Sequence, residues 1–322
     1  DLPKVIEVLK TVSKEDPSIH IKINEETGES LMSGMGELHL EIVENRIKTE
    51  KHVEIKTSDP IVVYRETIMK KSPEVEGKSP NKHNKFYITV EPMPEKLAEA
   101  IKNGDITEGH FRKKDETTFQ KIIECGVDSK EARKYQSCYK GNMLVDASRG
   151  VVHIGEVMEL ILEGFEQVME AGPLAREPGI NILVLVHDCK LHEDSIHRGP
   201  AQVLPAVRDA IREAMALGSA IMFEPVQILQ IDAPMECMGE ISKLVANKRG
   251  QLLEMVQEEG SVTVKAKLPV AEMIGLTSLL RSATGGRGNF YIVDQMFEKV
   301  PVDLQAKVIQ QIRTRKGLSL GA

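Results

Sequence analysis

Three histidines stand five residues apart in the stretch LVHDCKLHEDSIHRGPAQ, which covers residues 185–202. Imidazole, thiol and carboxylate groups within so few residues could bind a metal ion, or could form a general base with an orienting carboxylate. A third alternative is a loop that presents one imidazole to another molecule. The three histidines are His187, His192 and His197.

The spacing of these histidines argues against a metal site. Five residues turn a helix by about 500°, so the three side chains would not share a helical face, and an odd spacing alternates between the faces of a strand. His187 follows the apolar run Ile182–Val186, which predicts an ordinary residue at the end of a strand. His197 precedes turn-forming residues and an apolar helical pattern. A strand-to-helix loop of this kind is a place where proteins bind anionic groups.

The general-base alternative stays open at this point. It would use His197 with Asp188, Glu193 or Asp194 as the orienting carboxylate, and it requires a concave pocket. A loop that presents His197 to a partner requires exposure instead. The exposure of this side chain therefore distinguishes the two hypotheses.

A second polar loop has the sequence GKSPNKHNK, residues 77–85, and it precedes the apolar strand pattern Phe86–Val90. Positive charge on turn residues between strands is typical of loops that contact phosphates, although a solvated hairpin loop has the same composition. We expect residues 78–85 and 190–199 to lie side by side, because each loop is polar, carries histidine with lysine or arginine, and adjoins an apolar element.

Composition limits the class of protein. The chain has 322 residues, of which 41% are hydrophobic and 28% are charged, and its formal net charge is -7. These values indicate a globular protein of two or three domains, and the acidic balance means that any contact with RNA must be local. No apolar run approaches the length of a membrane span, so no membrane partner is expected. The four cysteines show no CxxC pairing, which argues against a zinc ribbon or a disulfide framework.

Hydrophobic periodicity predicts two related units at the ends of the chain. The first has the order α-β-β-α-β, with a helix at 2–14 that Asp1 would cap, strands near 19–23 and 29–33, a helix after Gly36 and a strand near 52–56. The second has the order β-α-β-β-α-β, with strands at 226–232, 251–256, 261–268 and 289–297 and helices at 236–249 and 271–283. This is a ferredoxin-like split unit. Because the first unit lacks an opening strand, we expect the chain to begin inside a domain.

The middle of the chain alternates strands and helices. We expect strands at 61–69, 86–91, 117–124 and 181–187, and helices at 94–101 and around the apolar positions of 157–168 and 203–215. Right-handed βαβ crossovers fit this order. A last amphipathic helix is predicted at 302–315.

Five segments together resemble the elongation factor 2 family of archaea and eukaryotes, whose bacterial relative is elongation factor G. They are GMGELHLEI (34–42), PIVVYRETI (60–68), SPNKHNKFYITVEPM (79–93), DCKLHEDSIHRGPAQ (188–202) and LRSATGGRGNF (280–290). The resemblance implies an α+β protein in which two ferredoxin-like split βαβ domains flank an elongated ribosomal-S5-like α/β domain. The implied domains are residues 1–59 (the third domain of the factor), 60–222 plus 299–322 (the fourth) and 223–298 (the fifth).

The same resemblance implies what the two loops do. His197 matches the histidine that this family converts to diphthamide, starting with a 3-amino-3-carboxypropyl group from S-adenosylmethionine. The loops match a tip that enters the decoding site of the small ribosomal subunit during translocation and holds the reading frame. The residues implied to contact RNA at this tip are Lys78, Asn81, Lys82, His83, Asn84, Lys85, His192, Asp194, Arg198 and Gly199. Arg287 is a further expected ribosome contact.

The implied partners are the ribosome, with its rRNA and the tRNA–mRNA complex, and the diphthamide-synthesis enzymes. The resemblance also implies a cytoplasmic monomer. No phosphate-binding motif of the form GxxxxGK[ST] occurs in the chain, so we expect no cofactor and no metal here, and place GTP and Mg in an N-terminal domain of the intact factor. The glycine-rich run 285–288 follows a helix pattern and precedes a strand pattern, which predicts a helix stop.

Overall fold

A computed structural model describes residues 2–23, 30–58, 60–151 and 153–318. The chain divides into two compact units. The first unit comprises Asp1–Val62 and Pro225–Met296, and the second comprises Val63–Glu224 and Phe297–Ala322. The expected helix cap at Asp1 lies outside the described residues.

The N-terminal part of the first unit follows the predicted order closely. Its elements are α1 (Leu2–Glu15), β1 (His20–Ile23), β2 (Ser30–Ser33) and α2 (Glu37–Thr49). β1 and β2 form an antiparallel two-stranded sheet. The two helices and this sheet enclose a small core made of Leu9, Val12, Ile19, Val43, Ile47 and Val53.

The strand predicted near 52–56 is absent, because none of the described residues 50–58 belongs to a β-ladder. Val53 is buried and Ile55 packs against the same core, so the apolar alternation was real. The backbone N–H of Val53 bonds to the carbonyl of Ile47 at the end of α2, however, and not to a neighbouring strand. Alternation of apolar and polar residues indicates that one face of a segment is buried, whereas a strand also needs a neighbouring strand to bond with. Whether an opening strand is missing stays a prediction.

The second unit begins with twelve elements. They are β3 (Arg65–Ile68), β4 (Val75–Lys78), β5 (Lys85–Pro92), α3 (Glu95–Lys102), β6 (Gly109–His110), α4 (Glu116–Glu124), α5 (Ser129–Ala132), β7 (Tyr135–Tyr139), β8 (Asn142–Asp146), α6 (Ile154–Glu170), β9 (Ile182–Lys190) and α7 (Pro200–Leu217). Six of the strands form a sheet in the order β4-β5-β9-β8-β7-β6. β8 and β9 are parallel with α6 between them in sequence, which is the βαβ arrangement expected.

The segment 117–124 is helical, so the strand predicted there is wrong. Asp115 caps α4 by accepting a hydrogen bond from the backbone N–H of Thr118. Phe119 and Ile122 are buried on one helical face, three residues apart. The β-branched residues suggested a strand, but the cap and the helical spacing favour the helix. The strand predicted at 61–69 exists in a shorter form, as β3.

The C-terminal part carries seven further elements, namely β10 (Ala220–Pro234), α8 (Met238–Asn247), β11 (Gln251–Glu258), β12 (Ser261–Pro269), α9 (Leu276–Thr284), β13 (Asn289–Lys299) and α10 (Val302–Arg315). In the first unit the strand order is β11-β12-β10-β13, with the opening strand β10 inside the sheet. This is the predicted split βαβ order. α9 begins later than predicted because a short 3₁₀ turn at Val270–Glu272 precedes it. It ends at the predicted glycines, where Gly285 adopts a φ of 58°.

The main core of the second unit supports the end of the sheet that carries the two polar loops. Helices α6 and α7 pack on β5 and β9 around fully buried side chains that include Phe86, Ile88, Phe165 and Val207. Helix α10, which belongs to the same unit, is joined to the segment after α6, since the Arg313 guanidinium donates to the carbonyl of Leu174 at 2.9 Å. Among the described helices, none is both long and apolar enough to cross a bilayer.

Strand β4 approaches α7 so closely that only glycine fits at residue 77. A Cβ built on Gly77 would overlap the carbonyl oxygen of Ala206 and would lie 2.8 Å from the Cβ of Ala210. We expect Gly77→Ala to lower the free energy of unfolding by about 1–3 kcal/mol, because β4 or α7 must move. Urea denaturation measures this value.

The matched control for this substitution is Gly155→Ala in α6. A Cβ at Gly155 meets no atom within 4 Å, so this change should raise the free energy of unfolding by about 0.4–1 kcal/mol. Equal effects of the two substitutions would contradict the close approach of β4 to α7.

Candidate functional site

Two loops leave the same end of the six-stranded sheet. Residues 79–84 join β4 to β5, and residues 191–199 join β9 to α7. The pairing of β5 with β9 places Lys85 opposite Lys190, and these residues adjoin the two loops. The expectation that the loops lie side by side is therefore confirmed. We call residues 78–85 and 190–199 together the tip.

The buried amide of Asn84 joins the two loops. Its Nδ2 donates to the carbonyl oxygen of His197 at 2.7 Å, and its Oδ1 accepts the backbone N–H of His192 at 3.0 Å. Asn84 is 0% exposed, so water cannot readily replace these bonds, and an unmatched polar atom there would be costly. One side chain from the first loop thus holds both ends of the segment from His192 to His197.

Neighbouring polar groups reinforce this link. Nδ2 of Asn81 donates to the same carbonyl of His197 at 3.2 Å, and the backbone N–H of Asn81 donates to Oε1 of Gln202 at 2.8 Å. The hydroxyl of Ser79 accepts the backbone N–H of Asn84 at 3.0 Å. The carbonyl of His197 therefore receives two amide donors, which fixes the backbone at this residue.

Arg198, one of the residues expected to contact RNA, turns its side chain into the protein. Its side chain is 5% exposed and forms an ion pair with Glu156 of α6 at 2.5 Å. Its Nη1 donates to the carbonyl of His192 at 3.0 Å. Arg198 is thus occupied inside the loop. Asn84, also expected to contact RNA, is buried in the same way, and both residues stabilise the tip.

Three imidazoles form a cluster at the tip. The ring centroids of His83 and His192 are 4.9 Å apart, those of His83 and His197 are 5.0 Å apart, and those of His192 and His197 are 4.5 Å apart. His83 is exposed and the other two are half-buried. His187 lies apart in β9, where its Nε2 pairs with Oγ1 of Thr89 at 2.7 Å. The third imidazole of the cluster is therefore His83, from the loop between β4 and β5, and not His187.

The imidazole cluster lacks the arrangement of a metal site. Within residues 2–23, 30–58, 60–151 and 153–318, no group of three or more His, Cys, Asp or Glu side chains is placed to hold a metal ion. Nδ1 of His192 accepts the backbone N–H of Asp194 at 3.1 Å, so a neutral His192 ring carries its proton on Nε2. Asp194 also caps the short helical turn Ser195–His197 by accepting the N–H of Ile196 at 3.0 Å.

The tip lysines differ in their partners. Lys78 and Lys85 lie 3.1 and 3.2 Å from the carboxylate oxygens of Glu76. The hydrogen bond from Lys78, followed by that from Tyr87, lowers the pKa of Glu76 to about 2. Lys82 is exposed with a φ of 62°, and among the described residues its ammonium group has no carboxylate partner. Lys82 therefore carries a charge that is available to another molecule.

The general-base alternative gains no support from this geometry. Oδ1 of Asp188 accepts the backbone N–H of Cys189 at 2.8 Å, and across the described segments no carboxylate contacts the ring of His197. Burial raises the pKa of Cys189 to about 12, so its thiol stays protonated. Two shallow cavities, of about 240 and 270 Å³, are lined by residues outside the tip.

The remaining expected site residues divide between the tip and the first unit. Gly199 lies at the tip and precedes the first residue of α7. Arg287 lies in the first unit, in the turn after α9, where it is exposed and forms an ion pair with Glu236. The structure therefore does not bring Arg287 into the tip.

Three residues at or beside the tip were not predicted from the sequence, namely Glu156, Gln202 and Ile196. Glu156 and Gln202 act through contacts between segments far apart in the chain, for which the sequence has no local signal. Ile196 is 77% exposed next to His197. Ile196 could have been identified from the sequence, because a large apolar residue is unusual inside a loop of polar residues.

Comparison with known proteins agrees with this architecture. Three family models match in order, namely Elongation Factor G, domain III, at residues 1–59, Elongation factor G, domain IV, at 104–219, and Elongation factor G C-terminus at 221–318. The chain is 49% identical to elongation factor 2 of Nanoarchaeum equitans over 100% of this chain and 44% of that protein. It is 48% identical to elongation factor 2 of Thermococcus kodakarensis and of Pyrococcus furiosus, over 99% of this chain and 43% of each relative.

The chain belongs to the elongation factor 2 family. It corresponds to the C-terminal portion of these factors and spans less than half the length of the relatives named above. The matched models account for an α+β fold built from several sheets and helices, including the split βαβ order in the first unit.

The link through Asn84 is testable by Asn84→Ala. The substitution leaves the carbonyl of His197 with one amide donor and the N–H of His192 with none, so we expect the free energy of unfolding to fall by about 1–3 kcal/mol. The backbone amide of His192 should also exchange its hydrogen faster. Urea denaturation and amide hydrogen exchange measure these two effects.

The control is Lys82→Ala in the same loop. Because Lys82 is exposed, its loss should change the free energy of unfolding by no more than about 0.5 kcal/mol. The role of Asn84 is refuted if its variant matches this control in both stability and amide exchange.

Proposed function

We propose that this chain is the C-terminal portion of a ribosomal translocase. In this proposal the tip enters the decoding site of the small ribosomal subunit as tRNA and mRNA move by one codon, occupies the vacated site and prevents slippage of the reading frame. The observation that supports it best is the convergence of two distant loops into one polar tip, where a buried amide fixes the backbone of His197 and leaves its ring partly exposed.

The shape of the tip suits a contact with RNA better than catalysis. A catalytic base needs an orienting group and a pocket that excludes water. The ring of His197 instead contacts two other imidazoles, and the surrounding loop exposes Lys82, His83 and Ile196. Ammonium and imidazole groups can donate to phosphates and to 2′-hydroxyl groups of RNA. With no Trp and 4% aromatic residues, stacking on bases is not expected to dominate.

A rigid backbone serves this function because the tip must resist displacement by moving RNA. The tip is held by hydrogen bonds that Asn84, Asn81 and Arg198 donate to backbone carbonyls within it. The loops are therefore already ordered before any partner binds. Pre-ordering reduces the entropy that binding would otherwise cost. Residues that the sequence suggested as direct contacts therefore act as supports for those that remain exposed.

We further propose that His197 is the residue modified to diphthamide, which makes the chain a substrate of the diphthamide-synthesis enzymes. The half-buried ring and the fixed backbone are compatible with a side chain that is extended outward by the modification. The intact factor would bind GTP and Mg through its N-terminal part and act as a cytoplasmic monomer on the ribosome. Arg287 is proposed as a separate ribosome contact.

The charge of Lys82 provides a direct test of the tip model. At 0.15 M salt, loss of one phosphate contact should weaken binding of this chain to purified ribosomes about five-fold. The slope of log K against log salt should fall by about 1. Lys82→Gln is therefore expected to produce both effects in a filter-binding titration over several salt concentrations.

Lys113→Gln is the matched control for the lysine test. Lys113 is exposed and lies in the second unit but outside the tip, and its loss changes the net charge by the same amount. If the two variants bind ribosomes equally well, the tip is not the contact surface.

Mass spectrometry tests the proposed modification. We expect the peptide that contains His197 to carry the mass of diphthamide when the protein is isolated from cells that make it, whereas peptides that contain His83 or His187 should be unmodified. His197→Ala should abolish the added mass and raise the frequency of frameshifts, with little change in thermal stability because the ring is only half-buried. An unmodified His197 peptide from such cells would refute the assignment.

A further inference from the structure

Helix α7 carries two arginines on one face beyond the tip. Arg208 and Arg212 stand four residues apart, so their side chains are neighbours on the helix surface. Nη1 of Arg208 donates to the neutral amide of Gln167 on α6 at 3.0 Å. The Nε atoms of both arginines are buried and have no hydrogen-bond partner among the described residues. Buried donors without acceptors are unusual, because each one has lost its water.

Arg176 adds a third cation beside this helix face. It is exposed, and its backbone is held at a φ of 56°, which a residue with a side chain seldom adopts. Its carbonyl accepts a hydrogen bond from Nζ of Lys316 at 2.7 Å. Lys316 and Arg315 both pair with Glu177. In the part of the chain that the structure describes, the guanidinium group of Arg176 has no such partner.

The three guanidinium groups lie close enough to affect one another. Burial, followed by the like charges of Arg176 and Arg208, lowers the pKa of Arg212. Asp209 and Glu66 act in the opposite direction, but more weakly, and neither lies within ion-pair distance of Arg212 among the described contacts. A like-charge cluster of this kind destabilises the isolated chain. The repulsion would be relieved by an anionic partner.

We propose that the arginine surface formed by Arg176, Arg208 and Arg212 binds the phosphate backbone of RNA, as a second ribosomal contact separate from the tip. The inference rests on the proposed function, since it takes the ribosome as the partner. Guanidinium groups bind phosphate oxygens through paired hydrogen bonds, and three adjacent ones can follow a phosphate chain. Arg212 lies roughly 18 Å along α7 from its first residue, Pro200, so this contact is distinct from that of the tip.

RNA fits this surface better than an acidic protein segment. The cations lie on a helix face and an adjoining loop, where their guanidinium groups can form paired hydrogen bonds with phosphate oxygens. The chain as a whole carries a net charge of -7, so a local group of cations without carboxylate partners is the form that an RNA contact must take in this protein.

Arg212→Gln tests the inference by titration of the full chain with purified ribosomes. We expect affinity to fall about five-fold at 0.15 M salt, with a lower salt dependence, because one phosphate contact is lost. Arg133→Gln is the matched control, since Arg133 forms an exposed ion pair with Glu116 at 2.9 Å in the same unit and changes the net charge equally. The control should bind ribosomes as the unsubstituted chain does.

The comparison with Lys82→Gln separates this inference from the proposed function. If Lys82→Gln weakens binding and Arg212→Gln matches Arg133→Gln, the arginine surface is not a contact although the tip is. Absence of any ribosome binding by the unsubstituted chain would overturn both proposals. A selective loss with Arg212→Gln supports the surface.

A cross-linking experiment identifies the partner directly. Glu213 is exposed and follows Arg212 on α7, so a photoreactive side chain introduced at Glu213 should form adducts with whatever covers this surface. We expect ribonuclease to degrade the partner in these adducts on ribosomes. After a protease has digested the chain, the cross-linked partner should remain intact, because it is RNA. Adducts with a ribosomal protein alone would overturn the assignment to RNA.

Discussion

The tip depends on one buried amide. Asn84 has no access to water, and its amide is satisfied only when the loop before β5 and the loop after β9 are both in place. Because unmatched polar atoms in a protein interior are costly, the amide makes the order of one loop conditional on the order of the other. The pairing of Lys85 with Lys190 across β5 and β9 supplies the alignment that makes this possible. The partial exposure of the His197 ring is a consequence of these constraints.

Charge is distributed unevenly over this acidic chain. At the tip, Glu76 neutralises two lysines, and Glu156 pairs with Arg198, which leaves Lys82 as an exposed cation. Along α7, by contrast, arginines meet a neutral amide or no partner within the described residues. A net charge of -7 therefore conceals small regions where cations remain available. The position of a charge relative to its neighbours, and not the total, decides which surface can attract an anion.

Periodicity predicted most elements, and the exceptions share a cause. The strand expected near 52–56 and the one expected at 117–124 both rested on apolar and β-branched residues, yet the first found no ladder partner and the second became α4. In each case the local pattern was read correctly as apolar, and the packing of other segments decided which face was covered.

By itself, the sequence determined the family, the α+β class, the split βαβ order of the first unit and the two loops that carry the candidate site. These features depend on local periodicity, turn residues and motifs, which are all properties of short segments. Only the tertiary structure decided that His83 joins His192 and His197, that Arg198 and Asn84 turn inward, and that Lys82 remains exposed. These outcomes depend on hydrogen bonds between residues more than 40 positions apart, such as the one from Arg198 to Glu156. The energy of such a bond is set by burial, and burial is defined only once the sheet and its two helices have assembled.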